Sequence, residues 1–215
     1  MRSNAIEEYK RTLKLNGDQR SILVGTLLGD GHLETQNNGR TYRLKIEHSA
    51  KQSAYVDWLH LQFKDWVLTP PKLKLKRLKN VELENYYFQT LSSGQFRFYA
   101  KEFYDESKHK RVPRQIKRWL TPLALAVWFM DDGSAKSKWH RAIILNTHCF
   151  SKKDLALLQE ALSFNYKIEA TLRPQKEGLQ LLIAGPSAER FVKIVRPHIL
   201  PEFNYKFGAL EQQIA

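Results

Sequence analysis

Two apolar segments, about one hundred residues apart, share an unusual ending. Leu23-Val-Gly-Thr-Leu-Leu-Gly-Asp-Gly31 and Leu125-Ala-Val-Trp-Phe-Met-Asp-Asp-Gly133 are each an apolar run closed by an acid and a glycine. The runs predict two buried helices, the first with Asp18 as its N-cap. A glycine at a helix C-terminus takes the left-handed conformation without penalty. An acid there is disfavoured by the negative end of the helix dipole, so the repeated acid suggests a compensating cation.

Small residues interrupt both predicted helices. Gly25 and Gly29 lie on one face of the first, and Ala124 and Ala126 are the small residues of the second. A glycine in a helix interior costs up to about 1 kcal/mol relative to alanine. We expect that cost where another backbone approaches closely, and the sequence is therefore compatible with the two helices packing side by side.

In the rest of the chain, apolar residues recur at every second position in some segments, as in strands, and at every third or fourth position in others, as in helices. Period-two stretches joined by turns predict hairpins at residues 32–49, 72–91, 133–147 and 167–184. Helical stripes predict further helices at residues 51–66, 94–104, 151–165 and 186–195. A capping box from Ser151 to Asp154 opens the third of these helices. Each half of the chain therefore has the order helix, hairpin, helix, hairpin, helix, which indicates an internal duplication.

The predicted strand at residues 40–49 has two chemically different faces. One face is mainly apolar and carries Tyr42, Leu44, Ile46 and His48. The opposite face is polar and carries Thr41, Arg43, Lys45 and Glu47. Such a polar face suits a solvated surface and contact with a polar ligand equally well.

The composition of the chain indicates which class of molecule it binds and excludes several kinds of site. The 215-residue chain has a net charge of +13 and a pI of about 9.8, which favours nucleic acid over solubility alone as the reason for its charge. The single cysteine, Cys149, excludes a disulfide framework and a cysteine-rich zinc site, and no closely spaced histidine pair is present. The sequence shows no GxxxxGK[ST] loop, no apolar stretch near the ~20 residues of a membrane span, and no recognisable signal or transit peptide.

If the two predicted helices pack side by side, their C-terminal ends bring Asp30 and Asp132 together. Two close carboxylates resist simultaneous ionisation, and a pair of divalent cations relieves this conflict. Oxygen-only ligands suit Mg²⁺, and the helix ends offer further oxygens at Gly29 and Asp131. Paired metals of this kind clamp the attacking and leaving oxygens of an in-line phosphoryl displacement.

A lysine follows each acid at a similar distance. Lys110 comes 80 residues after Asp30, and Lys206 comes 74 residues after Asp132. Either ammonium group could stabilise transition-state charge or orient the attacking water. Lys108, two residues before Lys110, is an alternative candidate for the same role. The basic segment that contains both predicts a linker at residues 108–120, between a first domain at residues 1–107 and a second at residues 121–215.

Both nine-residue segments resemble the signature of the LAGLIDADG homing endonucleases in their single-chain, two-motif form. The second segment is especially similar to the motif of the mitochondrial omega-intron enzyme and its relatives. The similarity covers about residues 22–207 and includes Trp66-Val-Leu-Thr-Pro-Pro71, Leu120-Thr-Pro122, Ile144-Leu-Asn-Thr147 and Tyr205-Lys206. The first motif departs from the family pattern at Thr26 and Leu28, neither of which matches a metal-binding position.

The resemblance implies an α+β fold with two pseudo-symmetric αββαββα domains. Their antiparallel sheets would be saddle-shaped, and the two motif helices would pack at the domain interface. Asp30 and Asp132 match the metal-binding acids of the family, and Lys110 and Lys206 match its basic active-site residues. The implied activity is Mg²⁺-dependent cleavage of both DNA strands at a long asymmetric target, leaving 3′ overhangs and promoting intron homing.

The resemblance also implies properties beyond the reaction. Mn²⁺ would substitute for Mg²⁺, and Ca²⁺ would bind without supporting cleavage. The protein would act as a monomer on double-stranded DNA, with no membrane and no protein partner. It would be encoded in a mitochondrion or chloroplast, or act in a bacterial cytoplasm.

Two sheets with polar faces could lie along a duplex and read base edges in its major groove. Candidates for contact with phosphates or bases are Arg40, Arg43, Lys45, Lys72, Lys74, Lys76, Lys138, Arg141 and Arg173. Two alternatives stay open. One is an RNA maturase on the same fold, whose chemistry belongs to the RNA and needs neither acid. The other is a non-catalytic DNA-binding regulator, which would be free to lose both.

Overall fold

The computed structural model describes residues 4–78 and 81–213. Its helices are α1 Asn4–Thr12, α2 Gly17–Leu28, α3 Ser53–Gln62, α4 Gln95–Phe103, α5 Ile116–Trp119, α6 Pro122–Asp132, α7 Lys152–Tyr166 and α8 Pro186–Val195. Its strands are β1 His32–Glu34, β2 Arg43–Ser49, β3 Lys72–Leu78, β4 Val81–Gln89, β5 Gly133–Ala135, β6 Ala142–Asn146, β7 Ala170–Gln175 and β8 Gly178–Ala184. A 3₁₀ segment at Pro201–Gln213 contains a kink at Gly208.

The eight strands form two four-stranded antiparallel sheets of the same topology. The first sheet has the order β1-β2-β4-β3 and the second has the order β5-β6-β8-β7. In both sheets, the first strand of each hairpin lies at an edge and the second strand lies in the centre, so that the two hairpins meet through their second strands. These two sheets with their packed helices confirm the predicted α+β fold, and the four hairpins lie where the alternation of the sequence places them.

The chain forms two compact units that share α2. The first unit contains the residues up to Leu23 together with Asp30–Lys101, and the second contains Val24–Gly29 and the chain from Glu102 onward. The C-terminal half of the first motif helix therefore packs within the second unit.

In the first unit, one face of the sheet packs against α3. Leu44, Ile46 and Phe88 on the strands are buried with Tyr55 and Leu59 on the helix. Because successive strand residues point to opposite faces, burial of these positions leaves their neighbours on the other face. That other face is the polar one predicted for β2.

In the second unit, α6 is the central element. Residues 124–130 are all buried, as its continuous apolar sequence requires. Thr121 caps the helix by accepting a hydrogen bond from the amide of Ala124 at 3.1 Å, and Pro122 occupies its first turn. The capping box predicted at the start of α7 is confirmed, with Ser151 and Asp154 bonded to each other's amides.

The N-cap predicted for α2 was wrong. The helix begins one residue earlier, at Gly17, and Asp18 lies in its first turn. Asn16 accepts from the amide of Gln19 at 2.8 Å, and the Gln19 side chain accepts from the amide of Asn16 at 3.1 Å. This reciprocal pair satisfies two free amides at once, which a cap from Asp18 would not do.

Among the described residues, no helix is both long and apolar enough to cross a lipid bilayer.

Candidate active site

The C-terminal half of α2 lies in direct backbone contact with α6. A Cβ atom added to Gly25 would stand 2.5 Å from the carbonyl oxygen of Ala124 and 2.7 Å from the Cβ of Val127. One turn later, a Cβ on Gly29 would meet the side chain of Asp131. Real Cβ atoms do not approach other atoms this closely, so both positions need glycine. The predicted close approach of another backbone is confirmed at Gly25, whereas Gly29 faces the Asp131 side chain.

The glycine after the second motif acid serves a different purpose from the one predicted. Gly133 has φ −87° and ψ 154°, which is an extended and not a left-handed conformation. It begins β5 directly after the helix, and a Cβ there would clash with the ring of Phe129. Gly31 is likewise not among the described glycines with positive φ. The prediction of a left-handed cap was therefore wrong, since the chain turns straight from helix into strand.

Lys110 lies at the C-terminal end of the first motif helix. Its Nζ donates a hydrogen bond to the carbonyl oxygen of Gly29. The segment that carries it is fixed on both sides. The amide of Arg111 donates to Phe103 O at 2.8 Å, and the amide of Val112 donates to the Asp154 carboxylate at 2.8 Å. The ammonium group thus reaches the negative end of the helix dipole from a rigid backbone.

Lys206 makes the equivalent contact with the second motif helix. Its Nζ donates to the carbonyl oxygens of Phe129 at 3.4 Å, Met130, and Asp131 at 3.2 Å. The residue is only 8% exposed, and its ammonium group lies 5.2 Å from the ring centre of Phe203. A buried charge needs such compensation, which the last carbonyls of α6 provide. Each motif helix therefore ends under a lysine from much later in the chain.

Asp30 directly follows Gly29 in sequence and has a histidine beside it. Its carboxylate lies 3.7 Å from Nδ1 of His48, with 52% of the Asp30 side chain exposed and only 3% of the His48 side chain exposed. The ring of His48 also packs edge-on against Tyr55 at 5.1 Å. In the sequence, His48 lies on the apolar face of its strand and has no predicted role. Its polarity among apolar neighbours was the available signal.

Asp132 is the last residue of α6, and it and Asp131 are both half-buried. Burial raises the pKa of the Cys149 thiol above its ordinary value, and the positive charge of Lys110 opposes this shift.

A cavity of about 890 Å³ opens beside Lys110 in the second unit. Part of its wall comes from the segment that the sequence predicts as a linker, and part from the start of α7. Its lining carries both signs of charge, with the bases Lys110, Arg111, Arg114 and Lys153 and the acids Glu102, Asp105 and Asp154.

The polar face of the first sheet brings several predicted DNA contacts together. Arg43 donates to Glu34 from Nε at 3.2 Å and from Nη2 at 2.9 Å. Lys45 lies 3.5 Å from Glu34 and 3.2 Å from Glu47. Burial alone would raise the pKa of Glu34, but hydrogen bonds from Arg43 and His32 and the charge of Lys45 hold it below its ordinary value.

The three lysines predicted on β3 share this face. Lys72, Lys74 and Lys76 pair in register with Tyr87, Asn85 and Leu83 of β4. Lys74 lies 3.7 Å from Glu47, whereas neither Lys72 nor Lys76 makes an ion pair with a described residue. Arg40 is exposed in the turn between β1 and β2.

In the second sheet, the residues predicted to contact DNA differ in their surroundings. Arg173 donates to Gln180 at 3.4 Å, and Gln180 donates to Asn146 at 2.6 Å, which forms a polar row across three strands. Lys138 is exposed in the turn between β5 and β6. Arg141 instead forms an ion pair with Glu189 of α8, on the side of the sheet that faces that helix.

Comparison with known proteins agrees with this arrangement. The model of the LAGLIDADG DNA endonuclease family matches residues 20–191. The chain belongs to this family. Cytochrome b mRNA maturase bI2 of Saccharomyces cerevisiae is 32% identical over 208 residues, which are 90% of this chain and 48% of the maturase. The chain thus spans about half the length of that maturase.

Two further relatives match along nearly their whole length. DNA endonuclease I-ChuI of Chlamydomonas applanata is 28% identical over 211 residues, which are 90% of this chain and 96% of I-ChuI. The solved structure of the homing endonuclease I-WcaI, bound to its DNA recognition sequence, superposes with a TM-score of 0.89 at 24% identity. The match covers 96% of this chain and 93% of I-WcaI and establishes a shared LAGLIDADG fold.

Proposed function

We propose that this LAGLIDADG protein is a site-specific homing endonuclease that cuts both strands of a long, asymmetric DNA target. The observation that carries the proposal is the repeated arrangement at the two motif helices. Each helix is followed or ended by the motif acid, Asp30 or Asp132, and its last carbonyls accept from Lys110 or Lys206. A structural helix pair would need neither the acids nor the ammonium groups at its helix ends.

The donor set at these helix ends fits a hard divalent cation. Asp30 offers a largely accessible carboxylate, and Asp132 a half-buried one. Carboxylate and main-chain oxygens are the ligands that Mg²⁺ prefers. We propose Asp30 and Asp132 as the metal ligands, with the Asp131 carboxylate and the Gly29 oxygen as further donors. The bound Mg²⁺ would neutralise charge on the scissile phosphate and activate water at neutral pH. Mn²⁺ should replace it, and Ca²⁺ should bind without cleavage.

Lys110 and Lys206 would stabilise charge in the reaction. Lys110 and Lys206 each hold a positive charge at a fixed point beside the proposed ligands, where it stabilises the developing charge of the phosphoryl transition state. We propose residues 1–107 and 121–215 as the duplicated domains, with residues 108–120 as their basic linker.

DNA binding in this proposal uses the polar sheet faces. The basic side chains predicted from the sequence would contact phosphates and base edges, apart from Arg141, whose ion pair with Glu189 holds it toward α8. The net charge of +13 supports association with a polyanion. We propose a monomer that acts on duplex DNA without a protein partner or membrane, encoded in an organellar or bacterial intron.

A cleavage assay tests this function. The exons that flank the reading frame are joined in a supercoiled plasmid, and the purified protein is added with Mg²⁺ or with EDTA. We expect one double-strand cut in Mg²⁺ only, with 3′ overhangs when the ends are mapped. A plasmid that stays supercoiled in Mg²⁺ and Mn²⁺, although the protein binds it, would contradict the proposal.

A second candidate function has support in the 32% identity to an mRNA maturase. Such a protein assists splicing of its intron, and the chemistry belongs to the RNA. A splicing assay with the intron transcript separates the two functions, because a maturase should retain its effect when Asp30 and Asp132 are both replaced by Asn.

A further inference from the structure

Two acids lie on the polar face that the first sheet presents, Glu34 on the edge strand β1 and Glu47 on the central strand β2. Glu34 and Glu47, with Arg43, Lys45 and Lys74, form a continuous line of ion pairs that we call the acid–base row. Lys45 bridges the two carboxylates, at 3.5 Å from Glu34 and 3.2 Å from Glu47. The row thus runs from β1 over β2 and β4 to β3, on the face opposite the buried one.

The row is fixed by more than its charges. Asn85 of β4 donates to Glu47 at 2.7 Å, and Arg43 binds Glu34 through two nitrogens. Burial alone would raise the pKa of Glu47, but hydrogen bonds from Asn85 and Lys45 hold it below its ordinary value. Both acids are therefore ionised at neutral pH. The side chains of Glu34, Arg43, Lys45 and Glu47 are between 15% and 29% exposed, so they hold one another in place while remaining at the surface.

This arrangement is unsuited to simple phosphate binding. Three cations and two carboxylates give the row a net charge of only +1, and each carboxylate repels a phosphate group. Lys72 and Lys76 lie on the same face without an ion pair among the described residues. The polar face therefore holds two kinds of cation. Lys72 and Lys76 have no carboxylate partner among the described residues and are available to contact DNA phosphates. Arg43, Lys45 and Lys74 are held in ion pairs with Glu34 or Glu47.

We propose that Glu34 and Glu47 are specificity-determining residues of the DNA-reading face. They orient Arg43, Lys45 and Lys74 toward base edges in the major groove and prevent these cations from settling on phosphates. Base contacts carry sequence information and phosphate contacts do not. The two acids therefore lower the overall affinity for DNA and raise the preference for one sequence over others. The inference rests on the proposed DNA-binding function, but it requires selective binding and not cleavage.

Selection from a random duplex library tests the inference directly. Wild-type protein and the variants Glu34→Gln and Glu47→Gln are each used to select bound DNA in Ca²⁺, and the pools are sequenced. We expect the wild type to select a defined site, and each variant to lose base preference at a short contiguous set of base pairs. Lys76→Gln is the matched control, because it removes from the same face a cation that has no ion pair with a described residue. Its pool should keep the wild-type base preferences.

Affinity measurements give a second readout. For an unrelated duplex, Glu47→Gln removes the ion-pair partner of Lys74 and leaves Lys45 paired with Glu34 alone. Binding should therefore strengthen, and the slope of log K against log salt should steepen by roughly 1. The ratio of selected-site to unrelated-site affinity should fall about tenfold. Lys76→Gln should weaken binding to both duplexes equally, with a slope shallower by roughly 1.

Three outcomes would overturn the inference. The first is a wild-type pool without base preference. The second is an acid variant with unchanged preferences and an unchanged affinity ratio, while its circular dichroism and unfolding temperature remain those of the wild type. The third is an acid variant that loses affinity for both duplexes equally. Failure of the nuclease proposal would look different, since the wild type would select a site but leave it uncut in Mg²⁺.

Discussion

The Nζ of Lys110 donates a hydrogen bond to the main-chain oxygen of Gly29, 81 residues earlier in the chain. Lys206 repeats this relationship with Asp131, at 3.2 Å and across 75 residues. In both cases a cation lies at the negative end of a buried motif helix, and the residue that accepts its hydrogen bond directly precedes the motif acid in the sequence. The two contacts connect residues that the duplication places at similar spacing, and they give each half the same set of charged groups.

Replacement of Lys110 by Met should impair chemistry more than binding. Loss of one positioned cation at the reacting phosphate should slow single-turnover cleavage roughly 100-fold to 1000-fold, because transition-state charge loses its stabilisation. The dissociation constant for target DNA should change little. The measurement is a single-turnover time course in Mg²⁺ alongside a binding titration in Ca²⁺.

Lys108→Met provides the control for this experiment. Lys108 lies two residues away in the same basic segment, is exposed, and has a left-handed backbone with φ 64°. Its loss should leave the cleavage rate within about threefold of the wild type, since an exposed surface cation contributes little. Equal loss of rate in the two variants would show that the basic segment, and not the Lys110 contact, matters.

The packing of α2 on α6 predicts that Gly25→Ala is destabilising. The added methyl group must displace the Ala124 carbonyl or Val127, and overpacking of this kind costs about 1–3 kcal/mol. The gain in helix propensity of about 1 kcal/mol offsets only part of this cost. Urea unfolding should therefore show a lower free energy of unfolding. Gly17→Ala, in the same helix but with no atom within 4 Å of the new Cβ, should be neutral or stabilising.

The sequence predicted much of this molecule, because periodicity reports burial directly. The hairpins, the capping box at Ser151 and the small-residue contact at Gly25 all follow from local pattern. The choice between Lys108 and Lys110 could not follow, because it depends on a backbone conformation and on which side chain reaches Gly29. The role of Gly133 was also hidden, since the clash with Phe129 arises only once helix and strand are joined.

Burial and hydrogen bonding of Tyr166 predict a dependence on alkaline pH. The hydroxyl donates to the carbonyl oxygen of Leu120 at 2.6 Å, and burial raises the pKa of Tyr166 to about 12. At neutral pH, Tyr166→Phe should lower the free energy of unfolding by about 1 kcal/mol. Because the folded pKa is raised, the advantage of the wild type is full below pH 10 and should shrink as the pH approaches 12. Unfolding of both proteins at several alkaline pH values measures this difference, and a constant difference would contradict the prediction.

The acid–base row predicts the opposite dependence at low pH. The pKa values of Glu34 and Glu47 are lowered in the folded protein. Their contribution is therefore present above the ordinary glutamate pKa and is lost as the pH falls through the lowered values. The effect should be less than about 1 kcal/mol, because these pairs lie at the surface. The double variant Glu34→Gln, Glu47→Gln should lose less stability than the wild type between pH 6 and pH 3 in thermal unfolding, and the two profiles should coincide if the row contributes nothing.

The most direct test of the proposed mechanism replaces both motif acids at once. Asp30→Asn with Asp132→Asn removes two carboxylate charges while keeping side-chain size, and the target plasmid is then incubated with Mg²⁺ over a range of protein concentrations. We predict that the plasmid stays supercoiled and that binding of target DNA, measured separately in buffer without divalent ions, is preserved. Linear product at the wild-type rate would contradict it.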